Sequence, residues 1–304
     1  MVGFMPAARK TVRVPASSAN LGPGFDALAM ALGLYLECGF RPAGELSICA
    51  SGRDSGLISS GADNLIWQTA LRVAADTGAA MPPIELDIAN DIPIGKGLGS
   101  SAAALTAGVV IANEVLGLGW DAHRVLDEAA QIEGHPDNVA ACVLGSIVAS
   151  AIDSEGVARA VRLALDPHYN VAVVVPDFVL PTSEARRVLP QTYSREDTVF
   201  NVQRSALLIV ALATGARDVF PTALEDRLHQ PYRYGLVPGL REITELRAPG
   251  LLGCALSGAG PSILVFHERG HEGVCERVRE VFLRHGRKSE IVCSAVSTAG
   301  YTLA

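Results

Sequence analysis

The chain has 304 residues, of which 49% are hydrophobic and 19% charged. That mix is too apolar for a disordered chain and long enough for one large domain or two medium ones. A net charge of −7 is not the electrostatic footprint of a nucleic-acid binder or of a protein held on an anionic membrane. Residues 1–10 lack an apolar h-region behind a basic start, and the longest uncharged, mostly apolar run, 139–152, is shorter than the ~20 residues a membrane helix needs. A soluble, cytoplasmic protein is expected. Cys38, Cys49, Cys142, Cys254, Cys275 and Cys293 are scattered without a C-x-x-C pair, so reduced core thiols are expected rather than zinc or disulfides.

In chain order, 12–14 reads as a short strand broken by Pro15, followed by a loop over 16–26 and an extended stretch over 32–40. Apolar residues at Leu65, Trp67, Ala70, Leu71 and Ala74 recur at helical spacing, predicting a helix over 64–77. Alternation predicts a strand over 84–88; 92–99 is Gly-rich, and 102–115 is an Ala-rich helix. Asp121 is placed to cap a helix that reaches Glu133 and is closed by Gly134 and Pro136. Two strands, 147–152 and 160–165, flank the turn 153–156, and a new pattern starts at 171–175. Helices near 201–212 and 238–246 and a strand-turn-strand around Gly258 complete the pattern. Mixed strands and helices without strict βαβ alternation favour an α+β fold, divided into an N-terminal unit, 1–167, and a C-terminal unit, 168–304.

The most informative stretch is Pro93-Ile94-Gly95-Lys96-Gly97-Leu98-Gly99-Ser100-Ser101-Ala102-Ala103-Ala104. Alternating glycines let a loop turn tightly and bring backbone N–H groups close to an anion. Ser100 or Ser101 can cap the following helix, whose free N–H groups and positive dipole end suit a phosphate, and a serine hydroxyl there can ligate Mg²⁺. It is not a Walker A loop: Gly95-Lys96 is followed by Gly97, and Asn90 stands where the first glycine is required.

This segment resembles the central phosphate-loop motif of the GHMP kinases. The superfamily's other two motifs are matched by Pro15-Ala16-Ser17-Ser18-Ala19-Asn20-Leu21-Gly22-Pro23-Gly24-Phe25-Asp26 and by Leu256-Ser257-Gly258-Ala259-Gly260-Pro261-Ser262. The first motif, together with Glu133-Gly134-His135-Pro136-Asp137-Asn138-Val139, Pro181-Thr182-Ser183-Glu184-Ala185-Arg186 and His229-Gln230-Pro231-Tyr232-Arg233, is similar to the homoserine kinase branch. The resemblance implies a two-domain GHMP fold with the active site in the interdomain cleft. It implies ATP bound by residues 93–103 (Pro93, Ile94, Gly95, Lys96, Gly97, Leu98, Gly99, Ser100, Ser101, Ala102, Ala103) and Asn64, with Mg²⁺ on Ser101 and Glu133. L-homoserine, phosphorylated on the way to threonine, would have its carboxylate on Arg186 and Arg233, its ammonium near Asn20 and Asp26, and its hydroxyl near Asn138. Catalytic roles then fall to Asn138, Glu133 and Ser101.

The residue types suit that chemistry. A zwitterion wants a planar guanidinium for its carboxylate and a carboxylate for its ammonium. Arg187, next to Arg186, is an alternative contact. Glu133, in the last turn of a helix, is disfavoured there by ~0.3–1 kcal/mol, a penalty a cation would remove. Asp26 is the candidate general base, although the resemblance gives it to the ammonium. Lys96 could touch a phosphate or be a solvated loop lysine. Departures from the common pattern are Ala141 after Asn138-Val139-Ala140, and Tyr234-Gly235-Leu236 after Arg233. His267-Glu268-Arg269-Gly270-His271 matches H-E-x-x-H but follows a strand-like run, with Gly270 weakening any helix. The rivals are a GHMP kinase for a mevalonate-like alcohol and a non-catalytic ligand-binding member of the fold. No nucleic-acid or membrane partner is expected, and a homodimer stays open.

Overall fold

A computed structural model describes residues 8–163, 169–293 and 295–304. The chain runs β1 (Lys10–Ala19), β2 (Leu28–Pro42), β3 (Ser47–Gly52), α1 (Leu65–Asp76), β4 (Ile84–Asn90), α2 (Ser100–Leu116), α3 (Ala122–Glu133), α4 (Asp137–Leu144), β5 (Ile147–Ile152) and β6 (Ala158–Leu163). It continues through β7 (Asn170–Pro176), α5 (Thr182–Arg187), α6 (Arg195–Thr214), α7 (Phe220–Ala223), α8 (Gln230–Arg233), α9 (Leu240–Thr244), β8 (Leu251–Leu256), β9 (Ile263–His267), α10 (Val274–Arg284), β10 (Ser289–Cys293) and β11 (Thr302–Leu303).

Two sheets organise these elements. In the first, β1 pairs with β2 along its length, while the other edge of β2 is shared: Leu36–Pro42 pairs with β4 and Leu28–Met30 with β5. Pro15 does not end β1 as expected. It sits at a register shift between Pro15 and Ala16, a bulge, which is where a strand tolerates a residue without an N–H. The predicted 16–26 loop is accordingly shorter, because strand continues to Ala19.

The second sheet has the order β10-β7-β9-β8. In β7, Val171, Val173 and Val175 join one buried cluster, while Ala172 and Val174 join the other. With both faces covered, the strand reads as an unbroken apolar run rather than an alternation. α9 and α10 cover the outer face, where Ile243, Val278 and Phe282 pack on Cys254 and Val265.

Local chemistry accounts for the helices that frame the cleft. Asn64 caps α1, its Oδ1 accepting from Ile66 N and Trp67 N at 3.0 and 3.3 Å. Asp121 caps α3 by accepting from Arg124 N at 2.8 Å, and Gly134, at φ 87°, ends it. Gly108 lets α2 approach α1 closely, since a Cβ there would lie 2.6 Å from the Ile66 carbonyl oxygen and from Thr69 Cβ. The apolar run 139–152 is not one element: it divides at Gly145, φ 73°, into α4 and β5.

The expected unit boundary after residue 167, and Leu165 of the expected second hairpin strand, lie outside the described residues. Residues 169–293 build the second sheet and its helices, whereas Thr302–Leu303 returns to pair with β1, so the chain's end belongs to the first sheet. Among the described residues no helix is long and apolar enough to cross a membrane.

Candidate active site

The end of β1 and two loops far apart from it in sequence lock together where the sheets meet. Ser17 N–H donates to Leu98 O at 3.1 Å, Gly258 N–H to Ala19 O at 3.0 Å, and Ser262 N–H to Lys96 O at 3.2 Å. Ser257 Oγ donates to Gly97 O at 2.7 Å and lies 2.8 Å from Ser18 Oγ. Gly97 has φ 77°, and a Cβ there would stand 2.3 Å from Ser257 O and 2.7 Å from Gly260 O. Only glycine fits that backbone-to-backbone contact.

Beside this knot is a cavity of about 490 Å³, within the range of small-ligand sites. One end is made by Gly95, Gly97, Gly99, Ser100 and Ser101. Gly99, φ 67°, caps α2, and the first bond of the helix runs from Ala103 N to Gly99 O at 2.9 Å. The N–H groups of Ser100, Ser101 and Ala102 therefore have no acceptor within the helix, and they sit at its positive end. Ala102 and Ala103 turn their side chains into the core, so the backbone is what they can offer an anion. Pro93, Lys96 and Leu98 do not line the cavity. Lys96 Nζ instead donates to Pro176 O at 2.9 Å and Phe178 O at 2.8 Å, tying the loop to the end of β7; neither of the two earlier readings of Lys96 describes this staple.

A less polar end is lined by Leu36, Leu57, Ile58, Ile66, Ile88 and Ile94. Asn64 is there but largely engaged: its Oδ1 caps α1, and its Nδ2 donates to Ser59 O at 2.7 Å.

Glu133 and Ser101 stand together, with Ser101 Oγ 3.3 Å from Glu133 Oε2. Burial pushes the Glu133 carboxyl up, outweighing His135 and the Ser101 hydroxyl, which pull it down. A carboxylate held at a cost beside serine hydroxyls is a donor set that fits a hard divalent cation such as Mg²⁺. His135 completes this corner: its Nδ1 is 2.9 Å from Asp137 Oδ1 and its Nε2 is 4.0 Å from Glu133 Oε1. Burial opposes the His135 cation, but the hydrogen bond and charge of Asp137, with Glu133 behind, raise its pKa above the ordinary value. A ring held toward imidazolium is poorly suited to act as a base.

Asn138 lies next in the cavity, its Oδ1 accepting from Ser17 Oγ at 2.9 Å and its Nδ2 donating one long bond, 3.4 Å, to Asp137 Oδ1. Beyond it stand the charges. Arg186 holds Asp26 through two bonds, Nη2–Oδ1 at 2.7 Å and Nη1–Oδ2 at 3.1 Å. Burial opposes the Arg186 cation, but Asp26 outweighs it and raises its pKa. Arg233 is buried and still lines the cavity. Burial, then the charge of Arg186, lowers its pKa to about 10, so it stays cationic at neutral pH. Phe25 lies between them, its ring centroid 5.6 and 5.8 Å from the two guanidinium carbons.

Asn20 lines the cavity beside Asp26. Its Oδ1 accepts from Asp26 N at 3.0 Å and its Nδ2 donates to Gly258 O at 2.9 Å, so it braces the loop that presents Asp26. That loop is strained, with Asn20, Leu21 and Asp26 at φ 69°, 48° and 55°, a concentration typical of functional turns. Asp26, paired to Arg186, is not a free base. Of the adjacent arginines, Arg186 faces the cavity while Arg187 is exposed.

Thus Asn64, Ile94, Gly95, Gly97, Gly99, Ser100, Ser101, Glu133, Asn138, Asn20, Asp26, Arg186 and Arg233 share one cavity. Sequence reasoning assigned no role to Ser17, Phe25, His135, Asp137 or Ser257, although all five stand inside the quoted motifs. The H-E-x-x-H match is not helical: His267 ends β9 and Gly270 has φ 79°.

Comparison with known proteins identifies the family and the fold. Residues 64–146 match the family model for the GHMP kinases N terminal domain. The chain is 67% identical over 292 residues to a homoserine kinase of Solibacter usitatus, covering 96% of each chain. It is 43% identical to one of Deinococcus radiodurans, covering 97% of each. The crystal structure of homoserine kinase from Cytophaga hutchinsonii superposes with a TM-score of 0.82 over 100% of both chains at 25% identity.

Proposed function

Because the chain belongs to the homoserine kinase family of the GHMP kinases, we propose that it moves the γ-phosphoryl group of ATP to the side-chain hydroxyl of L-homoserine, giving O-phospho-L-homoserine for threonine synthesis. The fold is the GHMP kinase fold. The reaction site is the cavity between the two proposed units, 1–167 and 168–304.

Phosphoryl transfer asks the protein for positioning and charge neutralisation more than for covalent work. The α2 N-terminus and the glycine loop bind the phosphates, and the apolar end at Ile58, Ile66 and Ile88 takes the base. Ser101 and Glu133 would hold Mg²⁺, which when bound neutralises charge on the β- and γ-phosphates. Arg233 and Arg186 take the homoserine carboxylate and Asp26 its ammonium. Asn138 donates to the reacting oxygen and holds it in line. The observation that carries this reading is the meeting of Arg186, Arg233 and Asp26 with Ser101 and Glu133 in one cavity: an amino-acid reading head beside a phosphate site. The expected surroundings are the cytoplasm, where thiols stay reduced. Buried Cys38, Cys142 and Cys254, their pKa pushed by burial to about 12, are inert there.

A coupled ADP-release assay over homoserine, threonine, serine, mevalonate and shikimate tests the assignment. Homoserine is expected to give the highest kcat/KM. A preference for mevalonate moves the enzyme to another branch, and no turnover with any alcohol supports a binding role only.

A further inference from the structure

An arginine can present its fork to a carboxylate only if its long side chain is fixed in rotation. For Arg233 three contacts do this. Nε donates to Ala185 O at 3.1 Å, and Nη1 donates to Gly258 O at 3.2 Å and to His229 Nδ1 at 2.9 Å. Both hydrogens of Nη1 are used, so Nη2 is the nitrogen left for a ligand. All three acceptors are neutral, so none cancels the positive charge the substrate carboxylate would meet.

His229 is fully buried. A guanidinium only donates, so the ring nitrogen facing it, Nδ1, must be the one without hydrogen. The hydrogen is then on Nε2, which donates to Gly22 O at 2.7 Å in the first-motif loop. The backbone of His229 is equally fixed. Asp226 accepts from Leu228 N at 2.8 Å, His229 N at 3.1 Å, Gln230 N at 2.7 Å and Asn201 Nδ2 at 2.8 Å. The Phe25 ring stacks on the imidazole, centroids 5.3 Å apart and planes 24° from parallel. The burial of His229 favours the neutral ring, in keeping with this tautomer.

We propose that His229 is a positioning residue for the reaction: a neutral imidazole whose Nδ1 holds Arg233 in register with the substrate carboxylate and whose Nε2–H ties that guanidinium to the loop carrying Asp26. One buried ring thereby sets the spacing between the groups that read the two ends of the amino acid. His229 does not line the cavity and does not touch substrate. The proposal rests on the reading of Arg233 as a homoserine contact.

Two conservative variants of the full-length enzyme separate its two bonds. His229→Gln keeps a donor near the Nε2 position and loses the Nδ1 acceptor; His229→Asn keeps an acceptor near Nδ1 and loses the Nε2 donor. His229→Gln is expected to raise the homoserine KM about tenfold, the loss of one hydrogen bond to a charged group, with the ATP KM unchanged, and His229→Asn to raise it several-fold less. In an Arg233→Lys background His229→Gln should add nothing further. The proposal is overturned if homoserine and ATP KM rise together in step with a fall in Tm, if His229→Gln leaves the homoserine KM unchanged, or if its effect adds in full to that of Arg233→Lys. Should His229→Gln fail to fold, ¹⁵N-histidine NMR of the wild-type enzyme decides. A bare Nδ1 with hydrogen on Nε2 is expected, and the opposite tautomer or an imidazolium overturns the assignment. Absence of homoserine-dependent ADP release by the wild-type enzyme is a separate result: it removes the functional reading, and this proposal with it, before any variant is made.

Discussion

Arg186 and Asp26 grip each other through two parallel hydrogen bonds of 2.7 and 3.1 Å, across the gap between α5 and the 20–26 turn. Their side chains are 38% and 34% exposed, so the pair contributes little to stability, roughly 0–1 kcal/mol. A zwitterion exchanges such a pair without losing an ion contact: its carboxylate replaces Asp26 at Arg186, and its ammonium replaces Arg186 at Asp26. Asp26→Asn should therefore raise the homoserine KM by roughly 10–100-fold, the loss of a charge-assisted contact, while Tm stays within a few degrees. Arg187→Ala, on the exposed neighbour, should leave the homoserine KM alone. Steady-state kinetics and a thermal melt of each variant check both. A collapsed Tm with intact KM for Asp26→Asn would sink the idea of an exchangeable pair.

Glu133 sets function against stability. Burial raises its pKa, so between the ordinary glutamate value and the raised one the folded protein binds more protons than the unfolded chain. Stability then falls as pH rises through that window, and the cost is fully present above the raised pKa. Glu133→Gln removes the charge and should raise the Tm of the metal-free protein at pH 7, with the advantage shrinking at pH values below the ordinary glutamate range. The same substitution should lower kcat strongly at saturating ATP and Mg²⁺, because the proposed cation loses its carboxylate. Near wild-type kcat for Glu133→Gln would remove the metal assignment, whatever the melting curves show.

The phosphate-loop glycines divide by what they touch. At Gly97 a Cβ would strike the backbone at Ser257 O, 2.3 Å away, whereas at Gly95 it would meet Val179 Cγ1 at 2.7 Å, the end of a side chain that can rotate. Both have positive φ, which costs an alanine roughly 1–2 kcal/mol. Gly97→Ala must in addition push apart the phosphate loop and the 257–260 turn. Calorimetry should show Gly97→Ala losing ATP and homoserine affinity together, and Gly95→Ala losing much less of each. Selective loss of ATP binding by Gly97→Ala would mean that the glycine serves phosphate approach rather than the knot between loops.

Periodicity and composition made α1 and α2 legible in the sequence, and Asp121 and Gly134 marked the ends of α3, because such signals act on their own neighbours. What escaped was non-local. Pro15 reads as a strand breaker until the bulge opposite β2 is known, and β11 is two residues whose only signal is a partner some 290 positions earlier. The site shows the same division. Motif matches named residues that mostly line one cavity, but they could not say that Asn20 and Asn64 spend their amides on bracing loops, or that Lys96 faces the carbonyls of Pro176 and Phe178. A side chain's direction is decided by contacts that the chain order does not contain.

An amine-free analogue separates an amino-acid kinase from a kinase for a plain hydroxy acid. 4-Hydroxybutyrate keeps the hydroxyl and the carboxylate of homoserine and lacks the amine. Sites built to pair with a polar group reject an analogue without it by ~10⁴–10⁵ in kcat/KM when the site is dry. Asp26 is about one-third exposed and can fall back on Arg186, so the penalty here should be smaller, at least ~10²-fold, or about 2.7 kcal/mol. Arg233 behaves differently on removal, because it is 2% exposed and its loss takes the donor from Ala185 O and His229 Nδ1, while Gly258 O keeps only Asn20 Nδ2. Arg233→Ala should raise the homoserine KM and also lower Tm, since buried acceptors left without donors cost roughly 1–3 kcal/mol each before relaxation. ATP affinity, read by calorimetry below the lowered Tm, should change little. If 4-hydroxybutyrate reacts as well as homoserine, Asp26 is not an ammonium site and a mevalonate-like alcohol becomes the better substrate. If Arg233→Ala weakens ATP and spares homoserine, that guanidinium serves the nucleotide, and the carboxylate must be sought at Arg186 alone.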